Sequence, residues 1–400
     1  ECVPREPTPE QCNFVDDDCD GEVDEGFGVG PLAEATALRI DEYETADCSS
    51  CRWAFGTVIA PTDDGFSAMW TLGRSGGNES PNLFGRRLDA LGNPTGPIEL
   101  LRQDFVLNLN RMQALAPPPA RGLPVEAVYR VGTSDISGLL FASTSGSTEV
   151  VEGTPASGPY NVPLMVWSGQ RFIAAWSELD QLHVAVLDAN GVLEHEVEVD
   201  PLERPAAITL GVYPDRVGVL VSRYVDEPET RDSWFILLDA MGEVLVPARP
   251  IDVEYAGWQR LVGTEEGWLH IRPNDWGEPS TKQPLDIDGD PLDGPSMFDD
   301  GRHVSDSGGQ DIFVPLPDQQ EILSVWQPPE GGDMTVEFLD QRGSTRRRWS
   351  GPIPAGALEE DYLGDPHVAF GDGRLLVVWH GAAPNDVPNP VYVQPFGCVE

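Results

Sequence analysis

One short turn, L-D-x-x-G, recurs along this chain as "LDALG" at Leu88, "LDANG" at Leu187, "LDAMG" at Leu238 and "LDQRG" at Leu339. A degenerate copy, "LDIDG", sits at Leu285, and weaker equivalents are "LFAST" at Leu140 and "VQPFG" at Val393. The seven markers lie roughly fifty residues apart. Self-similarity at such a period means that one supersecondary unit is repeated and that each copy needs its neighbours to bury its apolar surface.

A second marker precedes each turn: an apolar run closing on an aromatic, as in "GFSAMW" to Trp70, "GQRFIAAW" to Trp176, "QQEILSVW" to Trp326 and "GRLLVVW" to Trp379. Another short apolar run comes before that, such as "FGTVIAP", "AITLGVY" or "PHVAF", and a fourth follows the turn, such as "GVLEHEVEV". These runs are short, alternate in polarity and are separated by Gly, Pro and Asp, with scarcely a credible helix among them. Four antiparallel strands per repeat describe a propeller blade. The expectation is an all-β, seven-bladed β-propeller over 31–400, with blades at about 50–100, 101–153, 154–200, 201–250, 251–300, 301–352 and 353–400. A pair of β-sandwiches is the alternative architecture.

The last repeat supplies only three strands before the chain stops at Glu400. An unassigned alternating segment, "ATALRIDEY" at 35–43, is the natural candidate for the missing outer strand, closing the ring and covering an open edge. That arrangement brings the N-terminal region beside Cys398.

Composition narrows the setting. Sixty-seven acidic against twenty-five basic residues leave a formal charge of −42, so nucleic acid and anionic membrane surfaces are repelled and cationic company is favoured. No apolar stretch is long enough to cross a membrane as a helix, and any export signal is expected upstream of Glu1. The six cysteines are Cys2, Cys12, Cys19, Cys48, Cys51 and Cys398, and in an oxidising compartment the economical pairing is Cys12 with Cys19, Cys48 with Cys51, and Cys2 with Cys398. Fifteen connectivities are open to six cysteines, and "CSSC" is also compatible with a redox motif. An extracellular, disulfide-bonded protein is the favoured reading.

The densest charge lies in residues 1–30, in "CNFVDDDCDGEVDEGF". Asp16, Asp18 and Asp20 alternate and are followed by Gly21, which matches the first half of an EF-hand-type loop. Glu22 would then offer its carbonyl, and Asp24 and Glu25 would complete the sphere. The twelfth loop position is Phe27, so the usual bidentate glutamate is missing, and flanking helices are absent from the pattern. Hard oxygen ligands favour Ca2+ over softer ions, and a metal explains why carboxylates that repel one another are gathered between two cysteines.

This segment resembles the cysteine-flanked D-x-D-C-D-G-x-x-D-E motif of secreted and surface proteins of myxobacteria and relatives, a motif family named after MopE, a surface copper-binding protein. The resemblance covers roughly residues 10–27. It implies export and metal binding at Asp16, Asp18, Asp20, Asp24 and Glu25, with Glu22 through its carbonyl. It also raises copper as an alternative metal, although none of His183, His195, His270, His303, His367 and His380 shows ligand spacing.

Elsewhere the candidates are weaker. "LDIDGDPLDG", with Asp286, Asp288, Asp290 and Asp293, occupies a turn that other repeats build without a metal. Asp89, Asp188, Asp239 and Asp340 read as turn formers, since Asp accepts main-chain hydrogen bonds there. Trp70, Trp176, Trp326 and Trp379 are expected to fill the space between blades, whereas Trp258, Trp268 and Trp276 are candidates for stacking on sugars. "STRRRWS", with Arg346 to Arg348, reads as a solvated loop or as a patch for an acidic neighbour. No nucleophile elbow, zinc-binding helix motif or phosphate loop is present. The expectation is a non-enzymatic extracellular or cell-surface binding or assembly protein, its partner a protein or a carbohydrate. The alternatives are a secreted polysaccharide hydrolase using channel carboxylates and a copper-scavenging surface protein.

Overall fold

A computed structural model describes residues 28–32, 37–41, 51–62, 64–74, 82–102, 113–115, 126–131, 136–143, 146–155, 164–178, 181–189, 191–199, 202, 205–213, 215–224, 231–253, 259–272, 280–298, 312–316, 321–326, 333–351, 364–371, 374–381 and 390–399. All of its regular elements are strands. β1 (Gly28–Pro31) and β2 (Leu38–Arg39) come first. The first sheet is β3 (Cys51–Thr62), β4 (Gly65–Arg74), β5 (Asn82–Leu88) and β6 (Glu99–Arg102). The second is β7 (Gln113–Leu115), β8 (Glu126–Val131), β9 (Ile136–Ser143) and β10 (Gly146–Pro155). The third is β11 (Leu164–Trp167), β12 (Phe172–Glu178), β13 (Gln181–Leu187) and β14 (Leu193–Val197). The fourth is β15 (Pro205–Tyr213), β16 (Arg216–Tyr224), β17 (Arg231–Asp239) and β18 (Val244–Ile251).

The fifth sheet holds β19 (Arg260–Thr264), β20 (Gly267–Arg272), β21 (Thr281–Leu285) and β22 (Ser296–Met297). The sixth holds β23 (Ile312–Pro315), β24 (Glu321–Trp326), β25 (Met334–Asp340) and β26 (Thr345–Gly351). The last takes β27 (Gly364–Gly371), β28 (Arg374–His380) and β29 (Val391–Val399), and adds β1 and β2. Each sheet is an antiparallel meander, and the first strands of successive sheets are neighbours, with β27 returning to β3. This is a β-propeller arrangement. Against the seven blades expected, six are detected, the sheet of β7 to β10 being described by its backbone alone.

The closing edge is made differently from the single strand expected at 35–43. β29 pairs with two short N-terminal pieces, β1 along its C-terminal half (Val29 opposite Cys398) and β2 along its N-terminal half (Leu38 opposite Val393). The amides of Leu32 and Ile40 extend these ladders to the carbonyls of Pro395 and Val391, at 3.2 and 2.9 Å. Ile40 is buried with Ile59, Phe66 and Trp70 of the first sheet and Leu376, Val378 and Val393 of the last, so the seam between chain ends is an apolar core.

Burial follows strand position. The middle strands are covered on both faces, as in β25 and β28, which makes their sequences nearly continuous apolar runs. The outer strands alternate or lie open, as in β26 and β14. Trp70, Trp176 and Trp379 are buried and Trp326 is half-buried. Trp70 and Trp379 join cores that span two neighbouring sheets, where large aromatic side chains fill the wedge between diverging blades.

The L-D-x-x-G turns share one geometry. The Asp amide donates to the carbonyl four residues on and the Gly amide returns to the Asp carbonyl, at Asp89, Asp188, Asp239, Asp286 and Asp340. Gly242 shows why the glycine recurs: its φ is +86°, and an added Cβ would stand 2.2 Å from Val186 Cγ2 of the preceding blade. The turns at Gly92, Gly242, Gly289 and Gly343 tuck into the neighbouring sheet in this way, so at these copies the repeat marker in the sequence is an inter-blade contact.

Candidate interaction surface

The metal candidates Asp16, Asp18, Asp20, Glu22, Asp24 and Glu25 lie outside the described residues, as do Cys2, Cys12, Cys19 and Cys48. Cys51 opens β3 opposite Arg74, and Cys398 stands opposite Val29 of β1 at the closing seam. Trp258, Trp276 and His303 also lie outside the described residues. Among the described residues, no group of three or more His, Cys, Asp or Glu side chains is placed to hold a metal ion.

The turn aspartates are occupied by the backbone. Asp239 Oδ1 accepts from the amides of Met241 and Glu243, both at 2.8 Å, and Asp340 Oδ1 accepts from Arg342 and Ser344 at 2.9 and 2.8 Å. Partial burial works against the Asp89 charge, yet hydrogen bonds from the Asn93 side chain and from the amides of Asn93 and Leu91 hold that carboxyl below its ordinary range. "LDIDG" is built the same way, with Asp286 Oδ1 accepting from Asp288 and Asp290 at 3.0 and 2.8 Å. Asp290 is then taken by Arg249 from β18 at 2.8 Å, an ion pair between the fourth and fifth sheets. This raises the guanidinium further above its usual range.

Two readings change. Trp268 is 1% exposed, donates from its indole N–H to the Ile287 carbonyl at 3.0 Å and packs against Phe235 and Tyr213, so it offers no face to a sugar. "STRRRWS" forms β26 and is not a loop. Arg347 pairs with the buried Glu321 at 2.5 Å, and Arg348 pairs with the fully buried Glu337 at 2.8 Å. Two of the three arginines are thus counter-charges to buried glutamates. Glu337 and Glu321 sit in otherwise apolar middle strands, which is where a sequence pattern hides a charge best.

Polar groups also cross the blade seams. Lys282, the chain's one lysine, is 4% exposed and donates to the Gly343 carbonyl of the next turn at 2.6 Å. Gln259 donates to Ser222 Oγ at 3.2 Å and its carbonyl oxygen lies 3.2 Å from His270 Nε2, bridging the fourth and fifth sheets. Burial, with Arg272 adding to it, pushes the His270 imidazole down to about 3. The cleft beside it is lined by His270, Arg272, Thr281, Gln283 and Pro295 and contains no carboxylate. Asp41 is buried and its carboxyl is raised by that burial in spite of its 2.7 Å bond from Arg39.

Among the described residues, exposed large apolar side chains recur on three consecutive sheets. Val192 and Leu193, Val244 and Leu245, and Leu292 and Met297 are exposed on the outer strands, or the turns leading to them, of the third, fourth and fifth sheets. Single exposed apolar side chains are ordinary, and the set that recurs on these adjacent blades is the candidate interaction surface.

No family model and no curated protein matches the chain. Solved structures with a similar course are a subtype N11 neuraminidase-like protein of A/flat-faced bat/Peru (8% identity, 92% of this chain and 94% of that chain, TM-score 0.45) and the Dos1 propeller (11%, 92% and 95%, 0.45). A third is the hydrazine synthase of Kuenenia stuttgartiensis (12% identity, 86% and 96% covered, TM-score 0.46). At these values no activity, substrate or ligand passes to this chain.

Proposed function

We propose that the protein is a non-enzymatic extracellular binding or assembly platform, a seven-bladed propeller that includes the β7 to β10 sheet as a blade, with a Ca2+-loaded loop ahead of its closing seam. The observation that carries this reading is the set of exposed apolar side chains on three adjacent blades, which a binding platform needs and a pocket enzyme does not. The buried carboxylates Glu321, Glu337 and Asp41 support it, because each is held by an arginine and closed off from solvent in the packed interior. Ca2+ enters through the oxygen ligands Asp16, Asp18, Asp20, Asp24 and Glu25 and the Glu22 carbonyl, and the disulfides Cys12 to Cys19, Cys48 to Cys51 and Cys2 to Cys398 are part of the same proposal. Propeller architecture hosts enzymes and binders alike, so the fold adds nothing to the choice.

The test has two arms. Calorimetric titration of calcium, then copper, into chelator-stripped protein is compared with Asp18→Ala plus Asp20→Ala. Calcium uptake that the double variant abolishes is the expected result, and copper uptake that survives it would establish metal scavenging instead. Incubation with a panel of polysaccharides is expected to release no reducing ends. Sustained turnover would replace the platform by the hydrolase.

A further inference from the structure

We propose that the outer rim of the third, fourth and fifth blades docks a cationic, apolar-rich polypeptide segment of a partner protein; this rests on the platform reading above and gives it a site and a partner class. Of the exposed large apolar side chains among the described residues, Leu100 alone lies off these three blades. Leu193 and Val244 each stand two residues past their turn glycines, Gly191 and Gly242. Leu245 and Leu292 each stand three residues past theirs, Gly242 and Gly289. Repeat register therefore sets Leu193 with Val244, and Leu245 with Leu292, at matching positions of neighbouring blades. Met297, 60% exposed on β22, lies on the outermost strand of the fifth blade.

The charge on the rim selects the partner. Glu196, Glu198, Glu243 and Asp288 are exposed on the same blades and have no ion-pair partner among the described residues. The rim's guanidiniums are already engaged, Arg171 by Glu194 and Arg249 by Asp290, both at 2.8 Å. The uncompensated charge is negative, on a chain of net charge −42. Two such rims repel each other, as would phosphate backbones and anionic lipid, whereas a segment that places Arg or Lys between apolar side chains satisfies both features. Docking proceeds through side chains: β18 ends its sheet and carries Pro247 and Pro250, which lack the N–H that an added strand needs.

The probe is a fluorescein-labelled synthetic peptide alternating arginine with leucine and valine, followed by anisotropy at low and physiological salt. Control peptides replace Arg by Glu, or the apolar residues by serine. The arginine–leucine peptide is expected to bind the full chain and the controls to bind at least about tenfold more weakly. Leu193→Ser, Leu245→Ser and Met297→Ser together are expected to weaken binding by about tenfold or more, and Leu100→Ser to leave it unchanged. All four side chains are exposed, so folding is not at stake, and matching circular dichroism spectra verify this. Equal binding of the arginine–serine peptide, or an equal loss from Leu100→Ser, would overturn the site. No peptide binding, with calcium uptake and the absence of hydrolysis as proposed above, removes this site and leaves the platform reading; polysaccharide turnover removes the platform whatever the peptide does.

Discussion

The Lys282 ammonium donates to the Gly343 carbonyl at 2.6 Å, so the only lysine of the chain fastens one blade to the turn of the next. Its stem runs against the same glycine, where an added Cβ would meet Lys282 Cδ at 2.7 Å, and its ammonium lies 5.2 Å from the Phe298 ring centre. In the preceding blade Phe235 holds the corresponding place, three residues before the turn's leucine, and fills the space against Gly289. Lys282 thus combines the packing of that ring with a hydrogen bond.

Because Lys282 carries the one side-chain amine in this sequence, amine acylation by N-hydroxysuccinimidyl acetate reads the seam directly. Native protein is expected to be modified at the α-amino group, with the Lys282 peptide unlabelled by mass spectrometry until urea is added. Fast labelling of Lys282 in buffer would mean that the fifth and sixth blades separate readily.

Much of the architecture was legible from the turns and apolar runs, since the repeated glycine and aspartate are required by one backbone geometry and the runs by burial on two faces. Trp268 was misjudged because its repeat is a divergent copy, and only the fold reveals that Ile287 and Phe235 enclose it. The role of Arg347 and Arg348 was hidden because their partners, Glu321 and Glu337, stand on other strands and look like any other acid among sixty-seven. The two-piece closing edge was missed because β1 and β2 hold few residues and show little periodicity.

Gly242→Ala tests the turn-to-blade contact. With φ at +86° and Val186 Cγ2 at 2.2 Å from the added methyl, the variant should lose about 2 kcal/mol or more, read as a lower urea midpoint at unchanged slope. Gly96→Ala is the control, since its Cβ would meet nothing within 4 Å, and its midpoint should move by less than about 0.5 kcal/mol. Equal effects at the two sites would show that the contact contributes nothing specific.

Glu337 is fully buried and accepts from Arg348 Nε and Nη2 at 3.1 and 2.8 Å and from Thr345 Oγ1 at 3.3 Å. Arg348→Ala removes a charged donor from that carboxylate and, because the guanidinium is itself about a third exposed, should cost about 2 kcal/mol, in the range of a hydrogen bond to a buried charged group. The double variant Arg348→Ala plus Glu337→Gln should recover part of the loss. A single variant as stable as the parent, by thermal melting, would mean that Glu337 is protonated or hydrated in the folded state.

Histidine burial gives the fold a pH dependence with a definite sign. Burial lowers His270 to about 3, with Arg272 contributing, and lowers His367 to about 4 against a weaker opposing hydrogen bond to the Ile59 backbone. His367 is only partly covered as a residue, but its Nδ1 is enclosed and has no hydrogen-bond partner among the described residues. Both are depressed relative to the unfolded value near 6.5, so the unfolded chain binds more protons in between. The stability they confer is complete above about pH 6.5 and drains away as the pH falls toward 4 and 3. Asp41 acts the other way: its raised carboxyl takes up a proton more readily in the folded chain, and neutralising surface acids relieves repulsion as well. Subtracting a variant separates these contributions. The stability difference between the parent and His270→Gln should be constant above pH 7 and shrink by about 2 kcal/mol by pH 5, at about 1.4 kcal/mol per pH unit. A stability difference that stays constant across that interval would show that His270 takes up its proton as readily in the fold as in the unfolded chain, so that burial does not depress it.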